Sequence, residues 1–156
     1  MTVKTLLVDD SIDTLEVLSL HFGGYTDIEI VATARNMQET LDICSSQPVE
    51  LISIDIQLGT ENGFDLCKKI REKLPHIFIT MCSMEFDSEY QRRATDAGAH
   101  YFLAKPVSFT DISHLMLSYI QFHSKLKLGN QDSGSLDALF DYIVHTSSNA
   151  LGGQNH

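Results

Sequence analysis

Five short apolar runs, each followed by a segment of helical periodicity, constrain the fold of this chain more than any other feature. The runs cover residues 3–8, 28–33, 49–54, 77–82 and 101–104. The segments between and after them cover 11–22, 36–46, 63–73, 87–97 and 108–127. Strands that alternate with helices pair in parallel, because a parallel partner is reached only through a long crossover, and right-handed crossovers leave few topologies. The helix starts carry their own signals. Asn36 with Glu39, and Ser108 with Asp111, place a capping side chain ahead of an acidic residue three positions on. Lys68, Lys69, Arg71 and Lys73 crowd the end of the third helical segment, where cations suit the helix dipole.

Chemistry-bearing residues stand where the apolar runs stop. Asp9 and Asp10 follow the first run, Asp55 the third, Ser83 the fourth and Lys105 the fifth. In an open parallel sheet the carboxyl ends of the strands converge on one crevice at the topological switch point. Three carboxylates gathered there repel one another, so at least one has a raised, coupled pKa unless a cation is near. A hard divalent ion such as magnesium, which takes oxygen ligands and keeps several waters, relieves that repulsion. Taken singly each residue has a bland reading: Asp-Asp after a strand is commonly a turn or N-cap, and Lys-Pro a strand terminator. Together they suit a magnesium-dependent phosphoryl acceptor.

The stretch Leu6-Leu7-Val8-Asp9-Asp10-Ser11, Asp55 with Gly63 eight residues on, Ser83, and Lys105-Pro106 together resemble the receiver domain of bacterial two-component response regulators. The resemblance spans residues 1–127. It implies a doubly wound, flavodoxin-like α/β fold with five parallel strands in the order 2-1-3-4-5, which sets Asp9, Asp10 and Asp55 side by side. It further implies that Asp55 accepts a phosphoryl group from a phosphohistidine on a sensor histidine kinase or phosphotransfer protein. Asp10, Asp55 and the backbone carbonyl of Gln57 would ligate Mg2+ directly, and Asp9 mainly through water. Lys105 would supply charge, and Ser83 a hydroxyl, to the phosphoryl oxygens. Phe102 matches the family's switch aromatic, and the Lys105–Pro106 bond is expected to be cis. Such a domain is a signalling phosphoacceptor with phosphotransfer and autodephosphorylation but no other enzymatic activity.

Two departures from the family pattern stand out. Gly59 occupies the position four residues after the acceptor where proline is common, so the loop Leu58–Gly63 is expected to be more mobile. Met84 follows the switch hydroxyl where a small residue is preferred, so it is expected to restrict small phosphodonors. Neither removes a reactive group. A haloacid-dehalogenase-like phosphatase would need Asp-x-Asp after its first strand, and this chain has adjacent Asp9-Asp10. No G-x-x-x-x-G-K-[ST] run exists for a P-loop nucleotidase. A degenerate pseudo-receiver acting as an interaction module, and the N-terminal part of a longer regulator with an output domain, are the alternatives.

Composition agrees. The chain has 156 residues and a formal net charge of −10, which argues against nucleic acid as a direct partner because phosphate backbones reward basic patches. No apolar run reaches the roughly 20 residues that span a bilayer, and no signal-peptide pattern opens the chain, so a cytoplasmic protein without a membrane partner is expected. Cys44, Cys67 and Cys82 read as reduced thiols. The seven histidines lack metal-ligand spacing. Residues 128–135 read as a flexible linker. Over 136–156, Leu136, Leu139, Phe140, Ile143 and Val144 recur at helical spacing, an amphipathic tail helix suited to docking or homodimerisation. The downstream partner is then another protein or a second copy.

Overall fold

The computed structural model describes residues 2–127. Within them the chain runs β1 (Val3–Val8), α1 (Ile12–Gly23), β2 (Ile28–Ala34), α2 (Met37–Ser46) and β3 (Leu51–Asp55). It continues through β4 (Gln57–Leu58), β5 (Glu61–Asn62), α3 (Gly63–Lys73), β6 (Phe78–Ser83), α4 (Ser88–Asp96), β7 (Tyr101–Ala104) and α5 (Phe109–Lys127). The linker and tail helix expected beyond Lys127 lie outside the described residues.

All pairings in the main sheet are parallel, and its order is β2-β1-β3-β6-β7. Because the two-residue strands β4 and β5 pair only with each other, this is the expected 2-1-3-4-5 order with a small hairpin inserted. The hairpin is absent from the sequence reading because two-residue strands leave no periodicity to detect. Register places Asp55 beside Cys82, and Val8 beside Ile54, so β1, β3 and β6 end at nearly the same level.

Strand residues of one parity, Leu6, Val8, Ile52, Ile54, Ile79 and Met81, form a core with Phe64, Leu66, Cys67 and Ile70 of α3 and Ala94 of α4. The other parity, Thr5, Leu7, Ser53, Thr80 and Cys82, is buried as well. Burial of both faces explains why the strands read as near-continuous apolar runs rather than alternating ones. None of the three cysteines is joined in a disulfide, and Cys67 and Cys82 are buried. Taken by itself, α5 buries Ile112, Leu115, Met116 and Tyr119 along one stripe, the i, i+3, i+4, i+7 spacing of an amphipathic helix.

Caps set where the helices begin. Ser11 accepts from Thr14 N–H, Asn36 from Glu39 N–H, Asn62 from Phe64 N–H and Asp87 from Tyr90 N–H. In the capping box of α2 the return bond goes one residue earlier than usual: Arg35 N–H donates to Glu39 Oε2 at 2.8 Å. Gly63 is required at the start of α3. A Cβ there would collide with the Asp55 carbonyl oxygen and crowd Ile56, and the Gly63 N–H instead donates to the Ile56 carbonyl at 2.6 Å. The glycine eight residues behind Asp55 thus lets the helix start pass directly beneath the end of β3.

Candidate functional site: an acidic crevice at the strand ends

Each strand end delivers one component. Asp9 follows β1 and is only 1% exposed. Its N–H donates to the Ala34 carbonyl at 3.1 Å, and its Oδ1 accepts from Ser11 N–H at 2.9 Å. Asp10 is exposed, and its Oδ2 accepts from Gly59 N–H at 3.0 Å. Asp55 closes β3, half-buried. One carboxylate oxygen from each of Asp9, Asp10 and Asp55 lies within 4.8 Å of the others. Lys105 follows β7, tied by its N–H to the Ser83 carbonyl at 2.9 Å. Its ammonium reaches back into the acidic group, 2.7 Å from Asp9 Oδ2 and 3.5 Å from Asp55 Oδ1.

The electrostatics follow from burial and neighbours. Burial raises the Asp55 carboxyl to about 6, and the Asp9 charge adds to the rise; the nearby Lys105 charge and a hydrogen bond from the Gln57 N–H oppose it. For Lys105, burial pushes the ammonium down, but the Asp9 hydrogen bond and the charges of Asp55 and Asp9 together outweigh it and leave the pKa raised. Lys105 is therefore charged at neutral pH. Lys105 contacts Asp9 and Asp55, yet burial still keeps the Asp55 carboxyl raised. A divalent cation fits this donor set: three hard oxygens converge, and the misplaced proton affinity of Asp55 is what a further positive charge would remove.

A cavity of about 190 Å³ adjoins this group, lined by Asp55, Gln57, Ser83, Met84, Glu85, Tyr90 and Lys105 among others. Ser83 is buried at its edge, and its Oγ accepts from Glu85 N–H at 3.0 Å. That bond uses a lone pair and leaves the hydroxyl proton able to donate. Met84 is 75% exposed on the rim. Phe102 does not line this cavity. It is half-buried against the core, with its ring centroid 5.5 Å from that of Phe86. The Lys105–Pro106 peptide is cis, as expected.

Some contributors are not legible as motif positions. Arg35, immediately past the end of β2, donates through Nε and Nη2 to the Asp10 carbonyl at 3.4 and 3.3 Å. The strand-end rule that selected the other residues would have selected Arg35 had β2 been read one residue longer, to Ala34. Glu61 Oε1 accepts from Met37 N–H at 2.9 Å. Tyr90 approaches the cavity from α4, a placement visible only in three dimensions.

Comparison with known proteins agrees with this geometry. Residues 5–116 match the response regulator receiver domain family. The chain is 29% identical over 114 residues to protein-glutamate methylesterase/protein-glutamine glutaminase 2 of Paramagnetospirillum magneticum, covering 72% of this chain and 32% of that protein. It is 27% identical over 121 residues to the response regulator protein PilR of Pseudomonas aeruginosa, covering 78% of this chain and 27% of PilR. The chain thus spans about a third or less of these relatives. Among solved structures, a response regulator from Thermotoga maritima superposes with a TM-score of 0.68 at 22% identity, covering 77% of this chain and 98% of that one. A CheY-like receiver domain protein from Methanospirillum hungatei superposes with a TM-score of 0.63 at 24% identity, covering 74% and 91%. Among the described residues, no helix is long and apolar enough to cross a membrane. With its sheet order, strand-end residues and family match in agreement, this chain belongs to the response regulator receiver domain family of two-component signalling.

Proposed function

We propose that residues 1–127 act as a phosphoacceptor domain in which Asp55 takes a phosphoryl group from a phosphohistidine of a sensor histidine kinase or phosphotransfer protein. An Asp55 carboxylate oxygen forms the new P–O bond as the P–N bond to the donor imidazole breaks, and the imidazole leaves with the electron pair. The transition state is loose, so catalysis consists of positioning and charge neutralisation. Lys105 is poised for this role: its ammonium stands between Asp9 and Asp55, within reach of oxygens arriving on the Asp55 carboxylate. This placement of one cation among three carboxylates is the observation that carries the reading. Ser83 can offer its hydroxyl proton to a phosphoryl oxygen from the cavity wall.

Asp9, Asp10, Asp55 and the Gln57 backbone carbonyl would hold Mg2+, with Asp9 acting mainly through water. When bound, the ion supplies positive charge to the phosphoryl oxygens. Turning Ser83 inward and repacking Phe102 would change the surface read by a downstream protein or a second copy, a two-state packing change biased by new charge.

Mass spectrometry after incubation with acetyl phosphate and magnesium tests the assignment. One added phosphoryl group, absent in Asp55→Asn, is the expected result; equal labelling of the variant would sink it.

A further inference from the structure

Three segments around the acidic crevice are tied together, two of the ties made by side chains that are not themselves part of it and the third by Asp10. The corner between β2 and α2, residues 35–37, grips both loops that carry the crevice. Arg35 presents Nε and Nη2 to the Asp10 carbonyl, at 3.4 and 3.3 Å. Met37 N–H, at the first turn of α2, donates to Glu61 Oε1 on β5 at 2.9 Å. The two loops are joined to each other by Gly59 N–H, which donates to Asp10 Oδ2 at 3.0 Å. The triangle is closed: corner to Asp10, Asp10 to the hairpin, hairpin back to the corner. The same hairpin carries Gln57, whose N–H donates to Asp55. Gly59, at the hairpin's turn with φ +64°, has no neighbour within 4 Å of where a Cβ would stand. Leu58, just before it, is buried in the core, while from Gly59 on the tip is held by the hydrogen bonds of Gly59 N–H and Glu61.

We infer that Arg35 and Glu61 are positioning residues for the divalent cation of the acidic crevice, holding the Asp10 loop and the 57–62 hairpin in the arrangement that lets Asp10, Asp55 and Gln57 meet it. This rests on the magnesium site proposed above. Neither side chain touches the ion. Each acts through a backbone group: Arg35 through the Asp10 carbonyl, Glu61 through the Met37 amide. Losing an outer-sphere partner of a metal site typically costs about tenfold in affinity at the low end.

The charges make the inference separable from simple electrostatics. Arg35 is a cation beside a cation site, so removing its charge alone would tighten magnesium binding. Removing its hydrogen bonds to Asp10 would weaken it. For Glu61 the neutral isostere makes the separation: Glu61→Gln discards the charge and keeps an oxygen that accepts from Met37 N–H, whereas Glu61→Ala discards both.

The test is a magnesium titration of the full 156-residue chain, followed by backbone amide shifts, for wild type, Arg35→Ala, Glu61→Ala, Glu61→Gln and the Arg35→Ala/Glu61→Ala double variant. We expect each alanine variant to lose about tenfold in affinity and Glu61→Gln to stay within about twofold of wild type. The double variant should lose less than the product of the two, because both act on one network. Arg35→Ala binding as tightly as wild type or tighter overturns the role of Arg35. Glu61→Gln binding as weakly as Glu61→Ala shows that charge, not position, governs Glu61 and overturns its role. A wild-type chain that binds no magnesium removes the metal site itself, a different failure from unaltered variants on a working site.

Discussion

Lys105 Nζ lies 2.7 Å from Asp9 Oδ2 and 3.5 Å from Asp55 Oδ1, so the ammonium is hydrogen-bonded to the neighbour of the proposed acceptor rather than to the acceptor. The Asp9 side chain is 2% exposed and that of Lys105 12%, so little water screens the pair. A cation held this way is pre-positioned but not committed to Asp55, and oxygens arriving there offer it a second partner.

Removing the ammonium leaves Asp9 buried with a charge it cannot share. Lys105→Met should therefore destabilise the metal-free protein by about 3 kcal/mol, the scale for breaking a buried pair. Saturating magnesium should narrow the gap, since an ion bound only to the folded state both neutralises and stabilises it. Urea unfolding in EDTA and in magnesium checks this. An equal deficit in both conditions would mean that the ion does not share charge with Asp9.

Asp10 and Asp9 should differ as ligands. Both Asp9 oxygens already have protein donors, Lys105 and Ser11, whereas Asp10 is exposed and has one oxygen engaged by Gly59. Asp10→Asn should weaken magnesium binding by at least about tenfold and leave the melting temperature nearly unchanged. Asp9→Asn should weaken binding less and lower stability more. Calorimetric titration paired with thermal melts would reveal the reverse pattern if the direct ligand were Asp9.

The pH dependence of Asp55 has a definite sign. Its folded-state carboxyl sits at about 6 against an ordinary value of 3.8. Between those values the folded state holds a proton that the unfolded state has released, so wild-type stability falls as pH rises through this window. Above it the penalty is fully present, at no more than about 1.4 kcal/mol per pKa unit and reduced by the solvent that reaches this half-buried carboxylate. Asp55→Asn removes the penalty. The metal-free variant should exceed wild type by up to that amount at neutral pH, with the difference vanishing near pH 4 and shrinking when magnesium is added. A difference independent of pH would locate the strain elsewhere.

Met84 is 75% exposed on the rim of the cavity that Asp55, Ser83 and Lys105 line. Met84→Ala should quicken labelling by acetyl phosphate, by about two- to tenfold if the side chain closes the opening for part of the time (a cost below about 1.4 kcal/mol). Labelling by a phosphorylated kinase domain should change less. Matching rates for the two proteins with acetyl phosphate would show that the thioether chain swings clear of the approach.

The alternation of apolar runs with helical segments was enough to determine the parallel sheet, because strands buried on both faces leave near-continuous apolar runs such as Leu51–Ile54 and Phe78–Cys82, interrupted only by the small polar residues Ser53 and Thr80. The strand-end rule likewise located Asp9, Asp10, Asp55, Ser83 and Lys105 from local pattern alone, since the ends of parallel strands lie at one edge whatever the loops do. Strand order came from resemblance rather than from periodicity, which says nothing about which strands are neighbours. What only the tertiary structure decided is how the charges pair and what holds the loops. Lys105 lies closer to Asp9 than to Asp55, burial keeps the Asp55 carboxyl raised, and Arg35, Gly59 and Glu61 fasten the crevice through backbone groups. These are contacts between residues up to 96 positions apart, decided by differences in distance as small as that between 2.7 and 3.5 Å, which residue identity does not encode. Sequence names the groups that a fold must gather; only their arrangement in space settles which of them a single ammonium will reach.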